Sequence, residues 1–494
     1  MAELVLALDL GTGGCKASIW DAGAACLAET TASYPTHHPA PGRNEQRPRD
    51  WWEAAVESTR ALAAGHPHLA TAVTGVAFSG HSLGAVMLDA HRRPIRETTP
   101  IWSDSRAVAE AEQYFGEVSE PDWYATTGNG FSPSLYPLFK AMWFRRHDPE
   151  AWGATIKLVG SKDYVNLLLT GELATDHSYA SGSGCYDLVR RRFDSDLMAS
   201  AGLGEDLWPD VLESTDVVGR LTATAAGTLG LPAGVPVYAG GVDNACMALG
   251  SRGTRPGRIY AALGSSSWIT VTGEVPVLDQ VARPYVFAHV IPGMFVSALS
   301  TFSTGTTMTW LRDLVAAGTP MADLITEGCG AQPGAGGLLF LPMLAGGTPL
   351  EGGARVRGSL RGLDLSHRRP DIVRAALEGI AASLGRSLDT LGTLVTCDPE
   401  LTIAGGGSRH EGWNQVYADM LGRPLNRTSV DEQAAALGAA ATAMVGSGAW
   451  RDFSQADAAH TPQGRYLPEA HQAHRLVRSR FDDAVAAEAE AVAT

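Results

Sequence analysis

The chain has 494 residues, 45 % hydrophobic and 18 % charged, a folded rather than disordered composition with room for two to four domains of roughly 100–200 residues. Lys and Arg number 38 against 53 Asp and Glu, a formal net charge of −15, and an acidic surface repels phosphate backbones, which argues against nucleic-acid wrapping. No apolar run reaches the roughly 18 residues of a bilayer span, and the first residues lack the basic region of a signal peptide.

In chain order, Leu4-Val5-Leu6-Ala7-Leu8 predicts a strand ending at Asp9. A turn through Gly11, Thr12, Gly13 and Gly14 follows, then a second extended stretch from Cys15 to Trp20. Backbone N–H groups of such a turn can converge on phosphate oxygens. Asp9 could then hold Mg²⁺ through water, with Thr12 donating a hydroxyl and Lys16 close by. On spacing alone the same residues read more readily as an ordinary tight hairpin, and no GxxxxGK[ST] loop is present. Val73–Phe78 predicts a strand ending at Ser79-Gly80. In Ile101-Trp-Ser-Asp-Ser-Arg-Ala107, an extended backbone would put Trp102, Asp104 and Arg106 on one face. An indole wall beside an acceptor and a donor suits a polyhydroxylated ligand; the alternative is a buried Trp and a surface Asp–Arg pair.

Val235–Ala239 predicts a strand ending at Gly240-Gly241, and Val242-Asp243-Asn244 leads into a small-residue helix, Ala245 to Leu249. An Asp at a strand's carboxyl end can take a proton from a hydroxyl nucleophile. It is also a favoured helix N-cap. A domain boundary falls near residue 250 without a low-complexity linker, so the halves should be closely coupled. Arg258–Leu263, the turn Gly264-Ser265-Ser266-Ser267 and Trp268–Thr272 repeat the strand–turn–strand unit, which hints at duplication. Pro370 opens a helix in which Val373, Leu377, Ile380, Leu384, Leu388 and Leu391 step by three or four. Leu401–Ala404 predicts a strand entering Gly405-Gly406-Gly407, and Leu476, Val477, Phe481 and Val485 predict a surface helix from about 470. Strands alternating with helices predict α/β sheets with helices on their faces. Cysteines 15, 26, 185, 246, 329 and 397 form no CxxC, which predicts a reduced, cytoplasmic protein without structural zinc.

Several segments together resemble one family. They are Asp9-Leu-Gly-Thr-Gly-Gly-Cys-Lys16, Ser79-Gly80 through Asp89, Trp102-Ser-Asp-Ser-Arg106 and Lys140-Ala-Met-Trp-Phe-Arg-Arg-His147. Leu169 through Asp176 with Ala180-Ser181, Gly240-Gly-Val-Asp-Asn-Ala245, Arg357-Gly-Ser-Leu-Arg-Gly362 with Glu378-Gly379, and Gly405-Gly-Gly-Ser408 with Ala418-Asp419 complete the set. In this order and spacing, from Leu6 to about Ser447, the chain resembles the FGGY carbohydrate kinases, most of all their xylulokinase branch. The resemblance implies two actin-like (ribonuclease H-like) ATPase domains, 1–250 on the sugar and phosphate side and 251–450 on the nucleotide side, with a cleft between. Residues 451–494 form a C-terminal helical extension. It implies transfer of the ATP γ-phosphoryl group to a sugar hydroxyl, with Asp243 as general base and Mg²⁺ near Asp9 through water. Thr12, Gly13, Lys16, Gly264, Ser265, Gly305, Gly405, Gly406, Gly407 and Ser408 would surround ATP. His81, Ser82, Trp102, Asp104, Arg106, Asp243 and Asn244 would surround the sugar. The implied partners are a sugar and ATP, with no nucleic acid or membrane, and homodimers are common in the family. Xylulokinases usually carry Gln-Met-His-Gly where this chain has His81-Ser82-Leu83-Gly84. Leu83 in place of that His leaves open a kinase for another polyol, of the erythritol or glycerol type. An actin-like ATP-binding protein without sugar kinase activity is the remaining alternative.

Overall fold

The computed structural model describes residues 3–469 and 472–493. Residues 1 and 2 of the expected first segment, and 470, 471 and 494 of the expected extension, lie outside the described residues.

Two seven-stranded sheets organise the chain. The first contains β1 (Leu4–Leu10), β2 (Gly14–Asp21), β3 (Cys26–Ser33), β4 (Gly75–Gly80), β5 (Val217–Arg220), β6 (Pro236–Tyr238) and β7 (Gly241–Val242). Its order is β5-β6-β4-β1-β2-β3, with β7 beside the end of β4. β1 pairs antiparallel with β2 and parallel with β4. Leu4 to Leu8 are all buried, as a near-continuous apolar run must be when helices cover both faces of a strand. The second sheet contains β8 (Ile259–Leu263), β9 (Ser267–Gly273), β10 (Tyr285–Ala288), β11 (Phe295–Thr301), β12 (Leu401–Ala404), β13 (Leu425–Thr428) and β14 (Pro462–Tyr466). Its order is β10-β11-β9-β8-β12-β13-β14. β8 again forms a hairpin with the next strand and runs parallel with a later one, β12. The repeated unit read in the sequence is therefore the centre of each sheet.

The helices that bear on the site are α1 (Pro48–Gly65), α2 (Pro137–His147), α3 (Ser161–Thr170), α4 (Asp243–Gly250), α5 (Gly305–Val315), α6 (Arg369–Leu394), α7 (Glu411–Leu421), α8 (Ala434–Gly446) and α9 (Gln472–Ala493). α1 lays Trp51, Ala54, Ala55 and Leu62 on the Leu6, Leu8 and Phe78 face of the first sheet. The opposite face, with Val5, Ala7 and Ala77, packs against α4 and α8 in one core. α8 follows the second sheet's strands in sequence yet covers the first sheet. Its Ala- and Gly-rich run lets it approach closely: a Cβ on Gly438 would stand 2.0 Å from the Cys246 carbonyl oxygen, and one on Gly250 would stand 1.8 Å from that of Ala434. The six apolar residues predicted to step along α6 are buried in the second core. The stretch expected as a C-terminal extension supplies β14 and α9. Val477, Phe481 and Val485 of α9 enter that same core, while Leu476 faces solvent.

Candidate active site

β1, β4 and β7 end side by side. Asp9 pairs with Ser79 across β1 and β4, and Gly241 and Val242 pair with Ser79 and Gly80. Asp243 emerges where β7 stops. It is the first residue of α4, with Val242 in the cap position and no side-chain cap bond, so the N-cap alternative is not the role it takes. Its Oδ1 accepts the neighbouring Asn244 N–H at 2.8 Å. Withdrawal from water, and secondly the charge of Asp9, push the Asp243 carboxyl up to about 7. Burial likewise raises Asp9, whose Oδ1 is buried without a hydrogen-bond partner. A carboxyl poised near neutral pH suits a general base. The orphan oxygen of Asp9 suits a hydrated cation. Among the described residues no three His, Cys, Asp or Glu side chains cluster as a metal site, so Mg²⁺ would take its other ligands from water and phosphate, as it commonly does.

The glycine turns lie at the strand ends. In the first hairpin Gly11 N–H donates to the Gly14 carbonyl at 3.0 Å, which leaves Thr12 and Gly13 exposed at the tip. In the second, Gly264 N–H donates to the Ser266 carbonyl at 2.9 Å. The start of α5 docks on this turn: Gly305 N–H donates to Gly264 O at 3.0 Å and Thr306 N–H to Ser265 O at 3.1 Å. A Cβ on Gly305 would stand 2.8 Å from Gly264 O, which only glycine avoids. Gly405 has φ +93°, and a Cβ there would meet the Leu263 carbonyl oxygen at 2.8 Å. Gly264, Ser265, Gly305, Gly406 and Gly407 converge on a cavity of about 820 Å³. Its apolar walls, Met308, Trp310, Ile325 and Trp413, were missed in the sequence, because helical apolar residues facing a cavity look like core. Thr12, Gly13, Lys16, Gly405 and Ser408, also expected around the nucleotide, are not among the residues lining this cavity, and the side chains of Ser408 and Lys16 are engaged elsewhere. The Ser408 hydroxyl is buried and closes its own turn on Gly405 O at 2.8 Å. The Lys16 ammonium reaches across the domains to the Glu432 carbonyl at 2.9 Å.

Where the sugar was expected, the common face of Trp102, Asp104 and Arg106 does not form. The segment is a turn, with Asp104 N–H on Ile101 O. Trp102 stays exposed and donates from Nε1 to Thr12 Oγ1 at 2.9 Å. Asp104 and Arg106 are buried and spent on each other: Arg106 Nε lies 2.8 Å from Asp104 Oδ1, and its Nη2 reaches Glu45. They order the loop rather than face a ligand. Lys140 on α2 is the residue whose role was missed. Its buried ammonium donates to Leu83 O at 2.9 Å and Ile101 O at 2.7 Å, so it ties the two sugar-side loops together. Burial lowers it to about 7. His81 is buried edge-on against Trp51, with both ring nitrogens unpartnered, and burial lowers it to about 4. Asn244 Nδ2 donates to Ser82 Oγ at 3.3 Å. Leu83 and Trp102 share a second groove of about 420 Å³ with Phe131, Tyr285, Phe302 and Thr348, contributed by both halves of the chain.

Comparison with known proteins agrees with this geometry. Residues 4–250 match the N-terminal domain of the FGGY family of carbohydrate kinases, and residues 259–447 match its C-terminal domain. A xylulose kinase of Bacillus subtilis (strain 168) is 30 % identical over 450 residues, 90 % of this chain and 89 % of that protein. A crystal structure of xylulose kinase from Rhodospirillum rubrum, 28 % identical, superposes with a TM-score of 0.89 over 98 % of each chain. That of gluconate kinase from Lactobacillus acidophilus, 21 % identical, gives 0.91 over 100 % of this chain and 99 % of that one, a likeness of fold. Paired carboxylates, glycine turns and both domain matches place this chain in the FGGY family of ATP-dependent carbohydrate kinases.

Proposed function

We propose that the protein transfers the γ-phosphoryl group of ATP to a hydroxyl of a ketopentose of the xylulose type. The observation that carries the reading is the half-buried Asp243 carboxyl, raised toward neutrality beside an orphaned Asp9 carboxylate where the strands of the first sheet end. Asp243 would accept the hydroxyl proton as the oxygen attacks. Asp9 would hold Mg²⁺ through water, and the bound ion would neutralise phosphate charge. The tips of the two hairpins would present N–H groups to the phosphates, and the cavity behind Gly264 and Gly406 would take the nucleoside. Phosphoryl transfer needs positioning and charge neutralisation more than covalent help from the protein. We place the reaction in the cytoplasm: all six cysteines are free thiols. Leu83 favours a second reading, a smaller polyol of the glycerol or erythritol type, because an apolar side chain at the groove binds no hydroxyl.

The test is ADP release from Mg-ATP with D- and L-xylulose, D- and L-ribulose, erythritol, glycerol and gluconate beside a blank without sugar. A response to a ketopentose supports the first reading, and a response to glycerol or erythritol alone supports the second. Asp243→Asn should lower turnover about 10²–10⁴-fold while the fold is kept. Near-normal turnover of that variant would remove Asp243 from the role of base.

A further inference from the structure

The base begins immediately after a strand of two residues, β7, and so short a ladder fixes little by itself. What fixes it is a buried polar chain. The backbone N–H of Val242, the residue before Asp243, donates to Ser178 Oγ at 2.8 Å. That hydroxyl donates in turn to Asp176 Oδ2. The other oxygen of Asp176 meets the Lys162 ammonium at 2.7 Å, and the same ammonium lies 2.6 Å from Asp163 Oδ1. Asp163 Oδ2 accepts the Thr175 hydroxyl at 2.8 Å, and Asp176 Oδ2 also accepts the Ser214 hydroxyl at 3.2 Å. Each of these six side chains is at most 2 % exposed.

The chain of contacts also touches the strand beside β7. A Cβ on Gly80 would stand 2.9 Å from Lys162 Cβ, and one on Gly241 would stand 3.1 Å from Ser178 Oγ. Backbone and side-chain network therefore meet without slack. On the far side of the base, Asn244 is held by Ser82. Residues 242 and 244 are both anchored by groups outside the helix they begin. Two carboxylates share one ammonium here, an arrangement that stability alone does not require, since buried ion pairs often contribute little net stability. Fully satisfied buried networks do fix geometry.

We infer that Ser178 is a positioning residue for Asp243, supported by Asp176 and Lys162. It acts through the Val242 N–H and touches neither sugar nor nucleotide. The inference rests on Asp243 being the base. Small displacements of a reacting group cost up to about 10²-fold in rate, so loss of the anchor should appear in kcat.

The experiment compares Ser178→Ala, Ser178→Thr, Thr175→Val and Asp243→Asn in the full chain, with the best sugar of the panel. Thr175→Val breaks the same network at its far end, four links from Ser178 through Asp176, Lys162 and Asp163, and leaves the Val242 anchor. Expected are a kcat about 10- to 100-fold lower for Ser178→Ala, with KM for sugar and ATP within about threefold. Ser178→Thr should recover most of the rate, and Thr175→Val should melt earlier but keep its kcat below its melting range. Hydrogen exchange reads the anchor without any substrate: the Val242 amide should exchange faster in Ser178→Ala and unchanged in Thr175→Val. If Ser178→Ala does not fold, Ser178→Cys, a weaker acceptor of similar shape, takes its place in both measurements. The positioning role is overturned if kcat falls only in step with melting temperature in both network variants, or if Val242 exchange is unaltered. A fully active Asp243→Asn would overturn the base itself, whereas an inactive Asp243→Asn beside a fully active Ser178→Ala overturns only the anchor.

Discussion

The sharpest prediction from packing is Gly438→Ala. Gly438 lies inside α8 where that helix crosses α4, and a Cβ would stand 2.0 Å from the Cys246 carbonyl oxygen and 2.5 Å from its carbon. Ordinary contact begins at 3.4 Å, so the helices must separate by about 1.4 Å, the difference of the two distances. The obstacle is backbone and has no rotamer through which to yield. Overpacking typically costs about 1–3 kcal/mol, and this position calls for the upper end. Alanine in a helix interior returns about 0.5–1 kcal/mol over glycine, which leaves about 2 kcal/mol of net destabilisation. At about 2–4 °C per kcal/mol for domains of this size, the melting temperature should fall by about 4–8 °C. Cys246 is one turn from Asp243 on α4, so the same shift moves the proposed base, and a displacement near 1 Å can cost about 10²-fold in turnover. The assay is thermal unfolding together with ADP release below the transition. Gly227→Ala is the control: it lies on the exposed face of the helix Ala223–Leu229 with nothing within 4 Å of its Cβ, and should be neutral or slightly stabilising. A Gly438→Ala enzyme that melts with the wild type and turns over normally would refute the close crossing of α4 and α8.

Two further outcomes are expected. His81 and His289 are held neutral by burial at about 4 and about 3; because the unfolded chain takes those protons first, stability should be full above about pH 6.5 and fall as pH drops toward 4, by up to about 3 kcal/mol for His81. Urea midpoints between pH 7 and 4.5 check this: His81→Gln should flatten the decline, and an unchanged slope would contradict it. Trp102→Phe removes the indole N–H bond to Thr12 Oγ1, worth about 0.5–1.5 kcal/mol of stability, so the melting temperature should fall by about 1–6 °C and kcat/KM for the sugar should fall with the loosened Thr12 turn; equal kinetics would show that the bond does not shape the site.

The central strands of both sheets were legible because burial is written into them. Leu4–Leu8, Ile259–Leu263 and Leu401–Ala404 are short apolar runs ending at polar or glycine residues, and each forms a strand at the centre of a sheet. The glycine turns and Asp243 were legible for a related reason: a residue that must approach backbone or end a strand leaves a mark in its own type. The Asp104–Arg106 pair was readable only as a surface pair; its burial was not legible, since the third partner, Glu45, lies far upstream and nothing local announces it. Nor was the position of α8. A helix of nearly continuous Ala and Gly has no polar stripe, so its pattern cannot say which sheet it will cover. The role of Lys140 was hidden because both its acceptors are backbone carbonyls.

The two halves use one scaffold for different tasks, and the difference lies at the strand ends. The penultimate residue of β1 is Asp9, paired with Lys16; that of β8 is Ala262, paired with Trp268. The strand parallel to β1 ends at Ser79 and Gly80 beneath Asp243, whereas the strand parallel to β8 ends at Ala404 and runs into three glycines. Acidic ends suit the proposed handling of a proton and a cation, and the Lys162, Asp163 and Asp176 network holds the backbone beside them through Ser178. Small neutral ends suit the place where an anionic ligand must come within hydrogen-bond reach of the main chain. In the proposed reaction a phosphoryl donor at the second set of ends must meet an acceptor hydroxyl at the first, so the halves must be linked. α8 supplies a link: it leaves the second sheet beside the Gly405 turn, where Asp431 holds the Gly405 N–H at 2.6 Å, and packs against the helix that carries Asp243.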